Sequence, residues 1–195
     1  AASDVYKRQT ETAPTVGLFV TCLVDLFRPS VGFAAVELLE RAGCRVVVPY
    51  GQTCCGQPAY NSGAREIAAS IAQNVLKSFD GFDYVVAPSG SCAAMLKLHL
   101  PGLFADDTLL RAHAERLAER TWELMSFLVD VRNFTDLATS HNGSASYHDG
   151  CSGLRELGVH GDLALELHAD DQECLPLVLG LLLSLVLLLL GPGIE

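Results

Sequence analysis

Four of the seven cysteines are spaced as a ligand set: Cys22, then after 31 residues the adjacent pair Cys54 and Cys55, then Gly56, then after 35 more Cys92. Thiolates are soft donors, so an all-sulfur set points to zinc or an iron–sulfur centre rather than to a hard cation. A single zinc ion usually draws its ligands from chelating pairs such as C-x2-C. Adjacent cysteines would instead close a small, strained ring on one ion. A cluster offers several irons, so neighbouring thiolates can attach to different ones, and a glycine after the pair lets backbone approach the inorganic sulfur. The residues alone leave the alternatives open: a cluster, a single ion, a vicinal disulfide, or buried thiols that only pack. The Gly-, Pro-, Asn- and Ser-rich stretch "GQTCCGQPAYNSG" reads as a loop, which packing thiols would not need.

Other residues carry less. Cys44, between a helix and a strand, reads as packing. His148 lies three residues before Cys151, a ligand-like spacing that has no second pair to complete it. Tyr147 and Asp149 share that strand end, where they can line a substrate cleft. His99, His113, His141, His160 and His168 show no convergent spacing and read as surface residues. "GQPAYNSG" lacks the G-x-x-x-x-G-K-[ST] pattern of a phosphate-binding loop, so nucleotide binding is not expected.

The elements that must position the thiols alternate between strand and helix. "TVGLFVTC" and "CRVVVPY" are short apolar runs of the kind found in buried strands. Tyr84 to Ala87 forms a third, followed by a Pro–Ser–Gly turn into Cys92. Between them, Val31, Ala34, Ala35, Leu38, Leu39 and Ala42 make one helical stripe, and Ile67, Ile71, Val75 and Phe79 another. A long amphipathic helix is predicted from Asp107 to Asp130. This order implies an α/β fold, a parallel sheet with flanking helices, in which the loops after the strands gather on one side. Cys22, Cys54, Cys55 and Cys92 all sit on those loops and are expected to converge.

Five segments follow. Residues 1–14 are a polar leader that reads as disordered, 15–131 the first module, 132–143 a linker, 144–173 the start of a second module led by Cys151, and 174–195 a leucine-rich tail. The 17 residues from Cys174 to Leu190 reach only the short limit of a membrane span, contain Pro176 and Gly180, and lack flanking Lys or Arg. A membrane partner is therefore not expected. A net charge of −10 opposes binding to a phosphate backbone, which sets nucleic acid aside. The leader has no apolar h-region, so a reducing cytosol and free thiols are expected.

The order Cys22, "CCG" at 54–56 and "PSGSC" ending at Cys92 resembles the cysteine-rich CCG family, which includes a heterodisulfide reductase component, the glycolate oxidase iron–sulfur subunit and the lactate-utilisation A proteins. "VTCLVD", "TCCGQPAYNSG", "VVAPSGSCAAML" and "YHDGCSGLRELG" most resemble the last of these. The resemblance implies a Rossmann-like module binding a [4Fe-4S]-type cluster through Cys22, Cys54, Cys55 and Cys92. It also implies an electron-transfer subunit, rather than a self-contained enzyme, in a cytosolic complex that oxidises L-lactate to pyruvate with two partner proteins. The alternatives are service to glycolate oxidation or disulfide reduction and, from another class, a structural zinc or interaction module. The chain departs from the family in two places. The motif's closing C-x2-C has Ser89 at its first position, where ligation through oxygen is conceivable. In the second module Cys151 matches the leading cysteine, but the expected "CCG" falls near residue 183, among leucines, and Cys174 does not replace it. The second site reads as incomplete, and the chain as a fragment with a non-native leucine tail.

Overall fold

A computed structural model of the chain describes residues 13–134 and 150–159. The expectations for the leader, for Tyr147, His148 and Asp149, for His141, His160, His168 and Cys174, and for the leucine-rich tail fall outside these residues.

Within the described residues the fold is α/β. Strands β1 (Thr15–Leu18), β2 (Arg45–Val47), β3 (Tyr84–Ala87) and β4 (Thr121–Glu123) form one parallel sheet in the order β2-β1-β3-β4. Between β1 and β2 run α1 (Cys22–Phe27) and α2 (Pro29–Arg41), and between β2 and β3 run α3 (Gln57–Asn61) and α4 (Arg65–Ser78). Helix α5 (Gly90–Ala94) continues through a π-helical turn at Met95–His99 and a 3-10 turn at Pro101–Phe104, and α6 (Thr108–Glu119) leads into β4. Helix α7 (Leu124–Ser126) extends as a π-helical turn to Val131, and α8 (Cys151–Glu156) packs against α5.

Both faces of the sheet are covered. Val16, Leu18 and Val86 face Leu38 and Leu39 of α2 and Phe127 and Leu128 after α7. Val85 and Ala87 face Val75, Leu76 and Phe79 at the α4 side and Leu96 and Leu117 on the other two helical segments. Each fully buried Leu or Phe contributes roughly 1.5–3 kcal/mol, so these two layers dominate stability. The strand ends are pinned by polar contacts. Asp83 accepts from both the backbone N–H and the hydroxyl of Thr15, each at 2.7 Å, and these donors hold its carboxyl below the usual range.

Two expectations are corrected. The predicted helix from Asp107 to Asp130 is two helices with a strand between them. Leu117, Thr121, Leu124 and Leu128 keep a helical phase across the break, which hides it. Thr121, however, has its hydroxyl donating to the Leu117 carbonyl at 2.7 Å, and residues 121–123 pair with β3 instead. Pairing with a buried strand outweighs a weak helix preference at Thr-Trp. The second strand, read as buried, is an edge strand of the sheet, with Arg45 and Val47 exposed.

Candidate metal centre

The direction in which the connections cross the parallel sheet reverses between β1 and β3. The connection leaving β1 goes outward to β2 and that leaving β3 goes the other way to β4. In open α/β sheets the crevice at such a switch point, beyond the carboxyl ends of the strands, is where ligands bind. Cys22 opens the helix after β1, Cys54 and Cys55 lie on the loop after β2, and Cys92 lies in the helix after β3.

The structure brings these four together. The Cys22 thiol donates to Cys54 Sγ at 4.0 Å. Cys55 and Cys92 are near enough to shift each other, the Cys55 thiol upward and the Cys92 thiol downward. Each of the four also interacts with the other three. Cys55 and Cys92 are buried, and Cys22 and Cys54 are partly accessible.

The electrostatics divide the buried pair. The interaction with Cys55 favours a thiolate on Cys92 and holds it below the usual thiol range against the opposing effect of burial, with further help from the Ser89 hydroxyl. Cys55 itself is pushed strongly upward by its interaction with Cys92 and by burial. Cys22 is raised by burial and then by the proximity of Cys54. Crowded thiols resist collective ionisation, so a positively charged partner is what would let all four become thiolates.

Local structure explains the placement. Thr21, almost wholly buried, caps α1 by accepting from the Val24 N–H at 3.3 Å, which fixes the start of the helix at Cys22. Gly56 has φ +88°, a left-handed conformation that costs other residues roughly 1–2 kcal/mol. That turn aims its N–H at Cys54 Sγ, 3.5 Å away. The glycine therefore serves a hydrogen bond to sulfur as well as space beside it.

Sequence reasoning missed the clamps. Gln52 accepts from Val20 N–H at 2.8 Å and donates to the Leu18 carbonyl at 3.3 Å, tying the cysteine loop to the end of β1. Asn74 on α4 donates to the Gly51 carbonyl at 3.0 Å and to Thr53 Oγ1 at 3.3 Å. Their one visible signal was the position of Gln52 just before "TCCG".

The remaining cysteines stand elsewhere. Cys44 is buried among Leu38, Leu39 and Val86 on the other face of the sheet, and burial raises its pKa. Cys151 is exposed at the start of α8 and takes no part in the thiol contacts described above. Among the described residues no group of three or more His, Cys, Asp or Glu side chains is arranged to hold a metal ion. Among them, too, no helix is long and apolar enough to cross a membrane.

Comparison with known proteins agrees with this arrangement. The cysteine-rich domain family CCG matches residues 16–97, a span that contains all four converging cysteines. Lactate utilization protein A of Geobacillus kaustophilus is 52% identical over 163 residues, which cover 83% of this chain and 68% of that protein. The proteins of the same name from Anoxybacillus flavithermus and Geobacillus thermodenitrificans are 47% and 49% identical over the same shares. No solved structure matches the chain.

Proposed function

Because the chain belongs to the lactate utilization protein A family and carries its CCG cysteine-rich domain, we propose that it serves lactate utilisation as an iron–sulfur electron-transfer subunit. The observation that carries this reading is the convergence of Cys22, Cys54, Cys55 and Cys92 at the switch point of the sheet.

The donor set fits the group the family implies. All four donors are sulfur, the soft donor type that such a group takes, and the interaction with Cys55 favours the thiolate form of Cys92. Cys22, Cys54, Cys55 and Cys92 would hold a cluster of the [4Fe-4S] type. When bound, such a group supplies one-electron transfer, so the two electrons that L-lactate loses along with two protons on becoming pyruvate would pass singly to a redox carrier. The chain's own residues do the rest. Cys55 and Cys92 lie buried, which keeps water from that side of the site, while Cys22 and Cys54 remain partly accessible to an electron-exchange partner. The Gly56 N–H donates to Cys54 Sγ and stabilises negative charge there. The reading places the protein in the cytosol, where a reducing poise maintains thiols, with two partner proteins completing the complex.

A structural zinc site is the second reading. The 4.0 Å between the Cys22 and Cys54 sulfurs matches two thiolates about 2.3 Å from one tetrahedral ion, but among the described residues no third side chain completes such a site. Metal analysis of protein purified without oxygen separates the two. Iron with acid-labile sulfide and broad absorbance near about 400 nm is expected, as for cysteine-ligated clusters. Colourless protein with stoichiometric zinc would replace the first reading by the second. Lactate-dependent growth of a deletion strain then distinguishes lactate from glycolate or disulfide chemistry.

A further inference from the structure

Strand β2 stops before its pairing with β1 is complete. In a parallel ladder alternate residues of a strand bond to the same neighbour, and in β1 the even-numbered ones face β2, since the Pro14 carbonyl accepts from Arg45 N–H at 2.9 Å. Continuing the register that pairs Thr15 with Arg45 and Gly17 with Val47 sets Phe19 opposite Pro49. A residue there would donate to the Leu18 carbonyl and accept from Val20 N–H. Pro49 can do neither. It has no N–H, and its carbonyl is taken by a turn in which Gln52 N–H donates to it at 3.3 Å. Leu18 is fully buried, so water does not replace the absent donor, and an unpaired carbonyl would cost stability.

The same turn folds Gln52 back over the position that Pro49 leaves unfilled. Its side-chain amide carries a carbonyl and N–H donors, as a peptide group does, and it makes both bonds. Nε2 donates to the Leu18 carbonyl at 3.3 Å, and Oε1 accepts from Val20 N–H at 2.8 Å. The link stands two residues before a cysteine on each side. Val20 precedes Cys22 and Gln52 precedes Cys54, and those two sulfurs are 4.0 Å apart.

We propose that Gln52 is a positioning residue of the thiol centre, its side-chain amide standing in for the peptide group that β2 cannot supply and so holding Cys54 beside Cys22. Fixing both backbones close to the sulfurs orders the pair before any group binds, which lowers the cost of binding. Where it concerns retention of a cofactor, the inference rests on the reading of the four thiols as ligands.

The test uses the full chain, freed of metal by a chelator without oxygen and treated with dibromobimane, which becomes fluorescent on bridging two neighbouring thiols; mass spectrometry of tryptic peptides identifies the pair joined. Gln52→Ala is expected to bridge Cys22 to Cys54 roughly tenfold more slowly than the parent, the weight of two ordinary hydrogen bonds. Reconstituted with ferrous iron and sulfide, it is expected to lose iron to a chelator faster. Gln52→Glu is expected to match Gln52→Ala at neutral pH, where a carboxylate accepts but cannot donate. In acid it should return toward the parent rate at the same pH, because a protonated carboxyl again offers a donor and an acceptor. Leu39→Val, which loosens the apolar layer on the opposite face of the sheet, is expected to bridge as fast as the parent. Bridging at the parent rate in folded Gln52→Ala overturns the proposal. So does equal slowing in Leu39→Val, which would reduce the effect of Gln52 to stability alone. Should Gln52→Ala fail to fold by circular dichroism, Gln52→Glu decides: recovery in acid supports the proposal and a constant ratio to the parent overturns it. A parent that bridges Cys22 to Cys54 but takes up neither iron nor sulfide removes the iron–sulfur reading and leaves the role of Gln52 to the bridging rates. A loaded parent whose Gln52→Ala variant bridges equally fast removes this inference alone.

Discussion

At the scale of single residues, the cysteines separate by environment rather than by type. Cys54 and Cys55 face the other thiols at the sheet's carboxyl edge, whereas Cys44 lies in the apolar layer on the opposite face. Replacing either member of the pair by serine is therefore expected to abolish iron and sulfide loading, and Cys44→Ser to leave it intact. Equal iron content in all three variants would sink the assignment. Glu123 gives a second residue-level expectation. Its carboxylate accepts from the N–H groups of Met125 and Ser126 at 2.8 and 3.1 Å, but burial outweighs both and pushes its pKa from 4.5 up to about 7. The folded state thus binds the proton more tightly than the unfolded state. Its stabilising effect is fully present below pH 4.5 and is lost as pH rises through about 7. The shift corresponds to at most about 3 kcal/mol, less what the partly accessible residue recovers from solvent. Urea titrations across that range should show the parent protein weakening with rising pH. Glu123→Gln, which keeps an acceptor oxygen but cannot ionise, should flatten the decline.

At the scale of elements, the packing of α8 on α5 turns on one glycine more than on the other. A Cβ on Gly90 would stand 2.9 Å from the Gly153 Cα and 3.0 Å from its nitrogen, backbone atoms that cannot swing aside. A Cβ on Gly153 would meet nothing within 4 Å. Gly90→Ala is expected to cost about 1–3 kcal/mol by forcing the helices apart, with faster amide exchange in α8. Gly153→Ala should be neutral or stabilising by up to about 1 kcal/mol, as alanine is the better helix former. Similar losses in both variants would show that the contact is not what joins the two helices. Whether an element was legible in the sequence depended on where its signal lay. Strands β1 and β3 are short apolar runs bounded by turn residues, and α4 repeats an apolar residue every fourth position, so local pattern sufficed. The convergence of the four thiols also followed, because parallel topology alone sends the loops after the strands to one side. Strand β4 was hidden because Leu117, Thr121, Leu124 and Leu128 read as one helix, and only pairing with β3 decides otherwise. The Gln52 clamp was hidden for a different reason. Its partner Leu18 is 34 positions away, and a single polar contact over that distance leaves no periodic trace.

At the scale of the whole molecule, the sheet carries the thiol centre while the segment at residues 150–159 closes one side of it. Leu157 packs against the layer that includes Cys55 and Cys92, Val159 is 7% exposed, and Glu156 pairs with His99 at 3.0 Å on the π-helical turn after α5. The ion pair joins two partly exposed groups and is screened by solvent, so it adds little. The two apolar side chains together are worth roughly 2–5 kcal/mol of burial. A chain cut after residue 134 keeps all four strands and most of both covering layers, but uncovers the surface of α5 on which α8 packs and removes Leu157 from the layer that includes Cys92. It is expected to unfold in urea as one cooperative transition with a lower midpoint, and to retain its four converging thiols. Iron and sulfide uptake should then persist with faster loss to a chelator, because the buried half of the site has lost its cover. An unchanged midpoint together with an unchanged rate of loss would mean that the segment rests on the module without supporting it.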